Sequence, residues 1–241
     1  MTAPENTPGR VLIVAGSDSG GGAGIQADIK TVTMLGGYAM TAVTAITAQD
    51  TTRVHGVWPV APDAVTAQMH ACLTDIGAAA IKTGMLGQAL LVEQVADTLD
   101  SLAGNAHRVI DPVMVATSGD RLVDEKAVSA IASLLVPGAS LVTPNAPEAE
   151  VLTGKAVDTI DGQRRAAEAL LERGAKGALV KGGHIDGTII YDVLQTEHGE
   201  WLFESPRLET RSTHGTGCTL ASACATLIAD GQAISDAVDA A

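Results

Sequence analysis

Residues His214-Gly215-Thr216-Gly217-Cys218 stand directly before TLASACATLIADG, a run of small and apolar residues with helical character. Glycines at the mouth of a helix leave consecutive backbone N–H groups open at the positive end of the helix dipole, where an anion can approach closely. Such a segment also serves as a plain turn, with Cys218 as a small buried hydrophobe. A thiol at a helix N-terminus is expected to have its pKa drawn from about 8.5 toward neutrality. A thiolate at Cys218 would act as a base toward a substrate hydroxyl or, with His214 as partner, as a nucleophile.

Further groups with charge or amide chemistry close other apolar runs. Asn145 and Glu148 in TPNAPEAE could hold the water shell of Mg²⁺ and through it a phosphate, or could cap a helix with an acidic first turn. Lys181, between GALV and Gly182-Gly183, could neutralise a transferring phosphate or stand in solvent at a strand end. The loop GSDSGGGAG lacks the GK[ST] ending of a P-loop. Gly22, Gly24 and Ala27 do satisfy a dinucleotide fingerprint, yet the match begins far from the preceding strand and no acidic residue ends the next one. The loop suits backbone contacts to a flat polar ligand, with Asp18 and Asp28 beside the ligand or acting as helix caps.

These groups need a frame that gathers them, and the apolar pattern supplies one. RVLIVAG, stopping at its glycine, YAMTAVTAITAQ, VHGVWPV, AAIKTG, RVIDPV, SLVTP and GALVKGG read as strands. IQADIKTVTMLGG, PDAVTAQMHACLTDI and the segments around 88–103, 124–135 and 158–173 read as helices. TIIYDVLQT and WLFESPRLE, joined by EHGE, read as a hairpin. Alternation of this kind predicts an α/β fold with ligands at the carboxyl ends of the strands. Gly16, Asp18, Gln49, Lys82 to Met85, Asp111, Asn145, Glu148 and Lys181 would then share one rim. The length fits one domain over 10–241 after a loose tail at 1–9. The closing DAVDAA lies inside a helical stretch, which raises the expectation of a further C-terminal piece beyond Ala241.

Composition narrows the function classes. The 28 acidic and 15 basic residues give a net charge of −13, and no basic stripe offsets it, so a nucleic-acid partner is not expected. A phosphorylated ligand must be held by local amides, a lysine or a metal ion. With 2% aromatic residues the core must come from Ala, Val, Ile and Leu. Cys72, Cys218 and Cys224 have spacings that support neither a disulfide framework nor a zinc site, as expected of a reducing cytoplasm. No stretch approaches the roughly 20 apolar residues of a membrane span.

In this order, AGSDSGGGAGIQADIKT, TAITAQ, IKTGML, VIDPV, TPNAPEAE, VKGGH and THGTGCTL resemble the hydroxymethylpyrimidine/phosphomethylpyrimidine kinases of thiamin biosynthesis, within the ribokinase-like superfamily, over about residues 11 to 230. The resemblance implies a three-layer αβα sandwich around a mostly parallel sheet, ATP and Mg²⁺ as cofactors, and a homodimer. It implies phosphorylation of 4-amino-5-hydroxymethyl-2-methylpyrimidine and then of its monophosphate. Gln49, Gly16, Asp28 and Met85 would bind the pyrimidine, and Gly215, Thr216, Gly217 and Cys218 would form the anion hole, with Cys218 where related sugar kinases carry an aspartate base. Lys181 and Asn145, with Gly217, would meet the phosphates, and Asp111 and Glu148 would bear on Mg²⁺ directly or through water. The alternatives are a pyridoxine or pyridoxal kinase of the same superfamily and, from another class, a Cys218-His214 hydrolase.

Overall fold

A computed structural model describes residues 7–114, 123–210 and 213–241. In chain order the elements are β1 (Arg10–Asp18), α1 (Gly24–Met34), β2 (Tyr38–Gln49), β3 (Val54–Pro59), α2 (Pro62–Asp75), β4 (Ala80–Thr83) and α3 (Ala89–Leu102). Then come β5 (His107–Ile110), α4 (Glu125–Ala130) running into a π-helical turn (Ile131–Leu135), β6 (Leu141–Val142), α5 (Ala146–Thr153) and α6 (Ile160–Glu172). The chain ends with β7 (Gly177–Val180), β8 (Ile189–Thr196), β9 (Gly199–Pro206), α7 (Thr216–Ala229) and α8 (Ile234–Ala240).

The strands form one sheet in the order β3-β2-β1-β4-β5-β6-β7-β8-β9. From β2 to β7 every neighbouring pair is parallel, while β3, β8 and β9 pair antiparallel at the edges. Alternate residues of β1 face opposite layers, as strand geometry requires. Leu12 and Val14 join a core with α2 to α6, whereas Val11, Ile13 and Ala15 pack with α1, α7 and α8. Both cores are built almost wholly of Ala, Val, Leu and Ile, and the three layers are those the sequence predicts.

Some boundaries differ from the sequence reading. β1 runs past Gly16 to Asp18, because a bulge between Ala15 and Ser17 lets the strand continue with a shifted register against β2. Gly9 is not loose: its N–H donates to Asp230 Oδ1 at 2.8 Å and its carbonyl accepts from Tyr38. The N-x-x-E segment opens α5, so the capping reading of Asn145 and Glu148 is realised.

The chain reverses direction across the sheet between β1 and β4. β1 leads through α1 to β2 on one side, and β4 leads through α3 to β5 on the other. A crevice at the carboxyl ends of strands is expected at such a switch point. Beneath it lies Lys82, in an otherwise apolar strand and without solvent exposure. Its Nζ is 3.0 and 3.2 Å from the Asp28 oxygens and 3.7 Å from Asp111 Oδ2. Ser222 Oγ donates to Asp28 at 2.6 Å. Burial alone would pull the Lys82 ammonium down, but Asp28, Cys218 and Asp111 outweigh it and hold it above the ordinary lysine value. Helices α1 and α7 are thereby tied to β4 and to the end of β5.

Removing one partner of a buried pair leaves the other charge uncompensated, at a cost of roughly 3–5 kcal/mol. Lys82→Met should lower the urea midpoint accordingly, and adding Asp28→Asn to that variant should recover part of the loss. Strictly additive losses in the two single variants and the double variant would show that the charges are not coupled.

Candidate active site

At the start of α7, Gly215 is the N-cap residue with a φ of 82°, a conformation open to glycine. A Cβ there would strike the Gly22 carbonyl, and a Cβ on Gly22 would come within 2.7 Å of His214 Cδ2. The loop after β1 and the mouth of α7 are therefore in backbone contact. His214 Nε2 lies 2.9 Å from Asp18 Oδ2, and Asp18 also accepts from the amides of Gly20, Gly22 and Ala23. Burial pushes the Asp18 carboxyl up, but the bond to His214 and the Ala23 and Gly20 amides prevail and hold it below the ordinary range.

Two alternative readings find no support here. His214 is engaged by Asp18, with Gln49 Nε2 at 3.5 Å, and so does not pair with Cys218 as a hydrolase dyad requires. The dinucleotide reading of Gly22, Gly24 and Ala27 fails for a related reason. The amides of Gly20, Gly22 and Ala23 are satisfied by the chain's own Asp18 carboxylate, so they are not offered to a pyrophosphate.

At Cys218 an expectation is overturned. Burial raises its thiol above the ordinary cysteine value; Lys82 pulls it down, Asp111 and Asp28 push it up, and the Gly24 amide pulls it down again without prevailing. The helix-terminus effect that favours a thiolate is outweighed by desolvation.

On the phosphate side, Lys181 Nζ is 3.5 Å from Asp111 Oδ1, and a Cβ on Gly217 would lie 3.2 Å from that same ammonium. Thr143 Oγ1 donates to Asp111 Oδ1 at 3.4 Å. Asn145 Oδ1 accepts from the Glu148 N–H, and Glu148 Oε2 accepts from the Asn145 N–H, each at 2.9 Å, which closes a capping box. Glu148 Oε1 faces the Met114 N–H at 3.4 Å. The structure thus gathers Asp111, Asn145, Glu148, Lys181 and the Gly215–Cys218 segment at one end of the sheet.

On the other side of the crevice, a Cβ on Gly16 would meet Met85 Cε at 2.6 Å, so these two residues adjoin. Gln49 ends β2 with its Oε1 3.2 Å from the Thr47 hydroxyl. Asp28 sits below this wall, fully buried and held by Lys82 and Ser222. The sequence reading noted Lys82 only as a strand closure. A lysine inside the apolar run AAIKTG was the available signal, whereas Ser222 in SACAT gives none.

The donor set fits a magnesium ion held chiefly through water. Asp111 Oδ2 is buried with no hydrogen-bond partner, and the Glu148 carboxylate is on the neighbouring helix. Among the described residues no cluster of three or more His, Cys, Asp or Glu side chains could cage a metal. Magnesium commonly keeps several waters and uses only one or two carboxylates alongside phosphates.

Burial raises the Glu148 carboxyl to about 7; Lys181 opposes this, Asp111 adds to it, and the Asn145 and Met114 amides oppose it. A carboxyl whose proton is held more tightly in the folded chain adds stability at low pH, and that share is lost as pH climbs from 4.5 through about 7. Glu148→Gln keeps an acceptor for the capping box and removes the charge. Its thermal midpoint should fall less than that of the wild type between about pH 5 and about pH 8. Parallel pH profiles would place the titration elsewhere.

Comparison with known proteins identifies the family. A family model described as phosphomethylpyrimidine kinase matches residues 18–241. The hydroxymethylpyrimidine/phosphomethylpyrimidine kinase of Streptomyces coelicolor is 49% identical over 100% of this chain and 89% of its own length. The crystal structure of phosphomethylpyrimidine kinase from Clostridium difficile superposes with a TM-score of 0.85 at 36% identity, covering 96% of this chain and 95% of that one. An ADP complex of Bacillus subtilis pyridoxal kinase gives a TM-score of 0.90 at 35% identity, covering 97% and 89%. This chain belongs to the phosphomethylpyrimidine kinase family and is a kinase.

Proposed function

We infer that this chain transfers the γ-phosphate of ATP to the hydroxymethyl group of 4-amino-5-hydroxymethyl-2-methylpyrimidine, and then a second phosphate to the monophosphate, in thiamin biosynthesis. The observation that carries the reading is the Lys181 ammonium beside Gly217 at the mouth of α7, with Asp111 in reach of it. A lysine, a glycine-lined helix start and an acidic pair in one crevice match the demands of phosphoryl transfer, in which positioning and charge stabilisation dominate.

The pyrimidine is read against Gly16 and Met85, with Gln49 toward its polar edge; Asp28, expected to bind it, is fully buried beneath and held by Lys82 and Ser222, so it supports the wall without touching the ligand. Gln49 suits an aminopyrimidine because one amide both donates and accepts. Lys181 meets the phosphates, and Asn145 orients them from the start of α5. The amides of Gly217 and Cys218, left over by the first turn of α7, receive the developing charge; one such donor is worth roughly 3 kcal/mol. Asp111 and Glu148 would hold Mg²⁺, directly or through water, and the ion when bound would supply positive charge against the nucleotide phosphates.

Cys218 faces the hydroxyl that is phosphorylated. With its thiol raised by burial, it is mostly protonated near neutral pH, so turnover that depends on its thiolate climbs with pH. The buried thiol and the engagement of His214 by Asp18 weigh against the hydrolase. The apolar pair Ile46 and Trp58, opposite each other on β2 and β3 and both exposed, would give a homodimer a contact face.

Incubation with ATP and Mg²⁺ should yield the mono- and diphosphate of the pyrimidine by mass spectrometry, with pyridoxal run in parallel. Pyridoxal phosphate without any phosphorylated pyrimidine would overturn the assignment in favour of the pyridoxal kinase. Cys218→Ala should cut kcat by about 100-fold, flatten the pH profile and leave ADP affinity intact. Near-normal turnover would leave charge stabilisation to the amides alone.

A further inference from the structure

Gln163 lies fully buried on the inner face of α6, away from every group used above. Its Nε2 donates to Val180 O at 2.9 Å and to Tyr191 O at 2.7 Å. These carbonyls belong to β7 and β8 at the point where their ladder stops, the last pair being Val180 with Val193. Lys181 then turns the other way: its N–H donates to Pro144 O at 2.9 Å, and it bridges to Asn145 in the parallel sense. The Gly182 N–H donates to Asp192 Oδ1 at 2.7 Å, and a Cβ on Gly182 would collide with the Tyr191 carbonyl. The two strands therefore fork at Lys181, over a cavity of about 410 Å³ lined in part by Gln163, Gly182 and Tyr191.

The chemistry of the wedge is specific. Both hydrogens of one amide nitrogen are spent on the fork, one on the Val180 carbonyl at the last ladder pair and one on the Tyr191 carbonyl beyond it, while Gln163 Oε1 is buried without any hydrogen-bond partner. An apolar side chain of the same size would avoid that unpaired acceptor but take a donor from the Val180 and Tyr191 carbonyls, so the amide is retained for its donors.

We propose that Gln163 is a positioning residue for phosphate binding: it holds the β7–β8 fork open and so keeps Lys181 aimed at Asp111 and the start of α7. The proposal rests on the reading of Lys181 as a phosphate contact. Without the donors of Gln163, the Tyr191 carbonyl, beyond the last ladder pair, must find another donor across the gap. The end of β7 then closes toward β8 and carries Lys181 away from Gly217. Nothing in this chain of contacts reaches Gly16, Gln49 or Met85, so pyrimidine binding is untouched.

The test is a double-mutant cycle read by calorimetric binding of Mg²⁺·ADP and, separately, of the unphosphorylated pyrimidine. Gln163→Met should weaken ADP about tenfold and leave the pyrimidine unchanged, and in a Lys181→Met background it should cost nothing further. Gln163→Asn, which keeps the amide but shortens the side chain, should show the same pattern and serves if the methionine variant does not fold. An equal ADP loss in both backgrounds would overturn the proposal, since Gln163 would then act independently of Lys181; so would a parallel loss of pyrimidine affinity. If Lys181→Met alone left ADP affinity unchanged, the phosphate role of Lys181 would fall and the positioning role with it.

Discussion

The fold is organised around one charge that has no access to water. Lys82 sits in the central strand next to the switch point, and its ammonium is met by Asp28 from α1 and by Asp111 at the end of β5. Ion burial of this kind is expensive unless geometry and additional hydrogen bonds compensate, and Ser222 of α7 supplies one such bond to Asp28. The pyrimidine side and the phosphate side of the crevice thus share a buried cation. Neither carboxylate can shift without disturbing the other's partner, which fixes the spacing between the two halves of the site.

A second constraint lies on the surface of that network. The loop after β1 is closed around Asp18, which takes three amides of its own loop and the His214 imidazole of the α7 mouth. Gly22 and Gly215 pack so tightly that neither could carry a Cβ without displacement. A side chain at either position would push the helix start away from the loop. The pyrimidine wall and the phosphate-facing amides consequently behave as one rigid piece, which is the preorganisation that charge stabilisation demands.

Much of this was legible in the sequence, because strand ends and helix starts announce themselves by glycine, proline and isolated polar residues after apolar runs. RVLIVAG, AAIKTG, RVIDPV and GALVKGG each lead to a rim residue that the structure brings to the crevice, and PDAVTAQMHACLTDI opens with proline at the head of α2. What escaped was settled by partners distant in the chain. The expected drop in the Cys218 pKa followed from its place at a helix start, but burial among Asp28 and Asp111 reverses it. For His214 the sequence offers only its near neighbour Cys218 as an alternative partner, whereas the residue it meets, Asp18, is 196 residues away. Gln163, inside the polar-looking IDGQRRAAEALLE, carries no local sign that its side chain turns inward.

The charges that line the crevice then bear on how it would accept a nucleotide. Lys82 and Lys181 face Asp28 and Asp111, so those four groups balance when ionised, and burial keeps the Glu148 carboxyl up at about 7. A further negative charge has no partner until positive charge arrives from outside. Asp111 Oδ2, 3.7 Å from the Lys82 ammonium but without a hydrogen-bond donor, points to the same deficit, since a buried carboxylate oxygen lacking a hydrogen bond suits a cation or its bound water. On the proposed reading, a nucleotide arriving with Mg²⁺ would bring both the phosphates for Lys181 to neutralise and a cation that favours the ionised Glu148 carboxylate. Free nucleotide would bring only the first, so burial of these carboxylates would favour the metal complex.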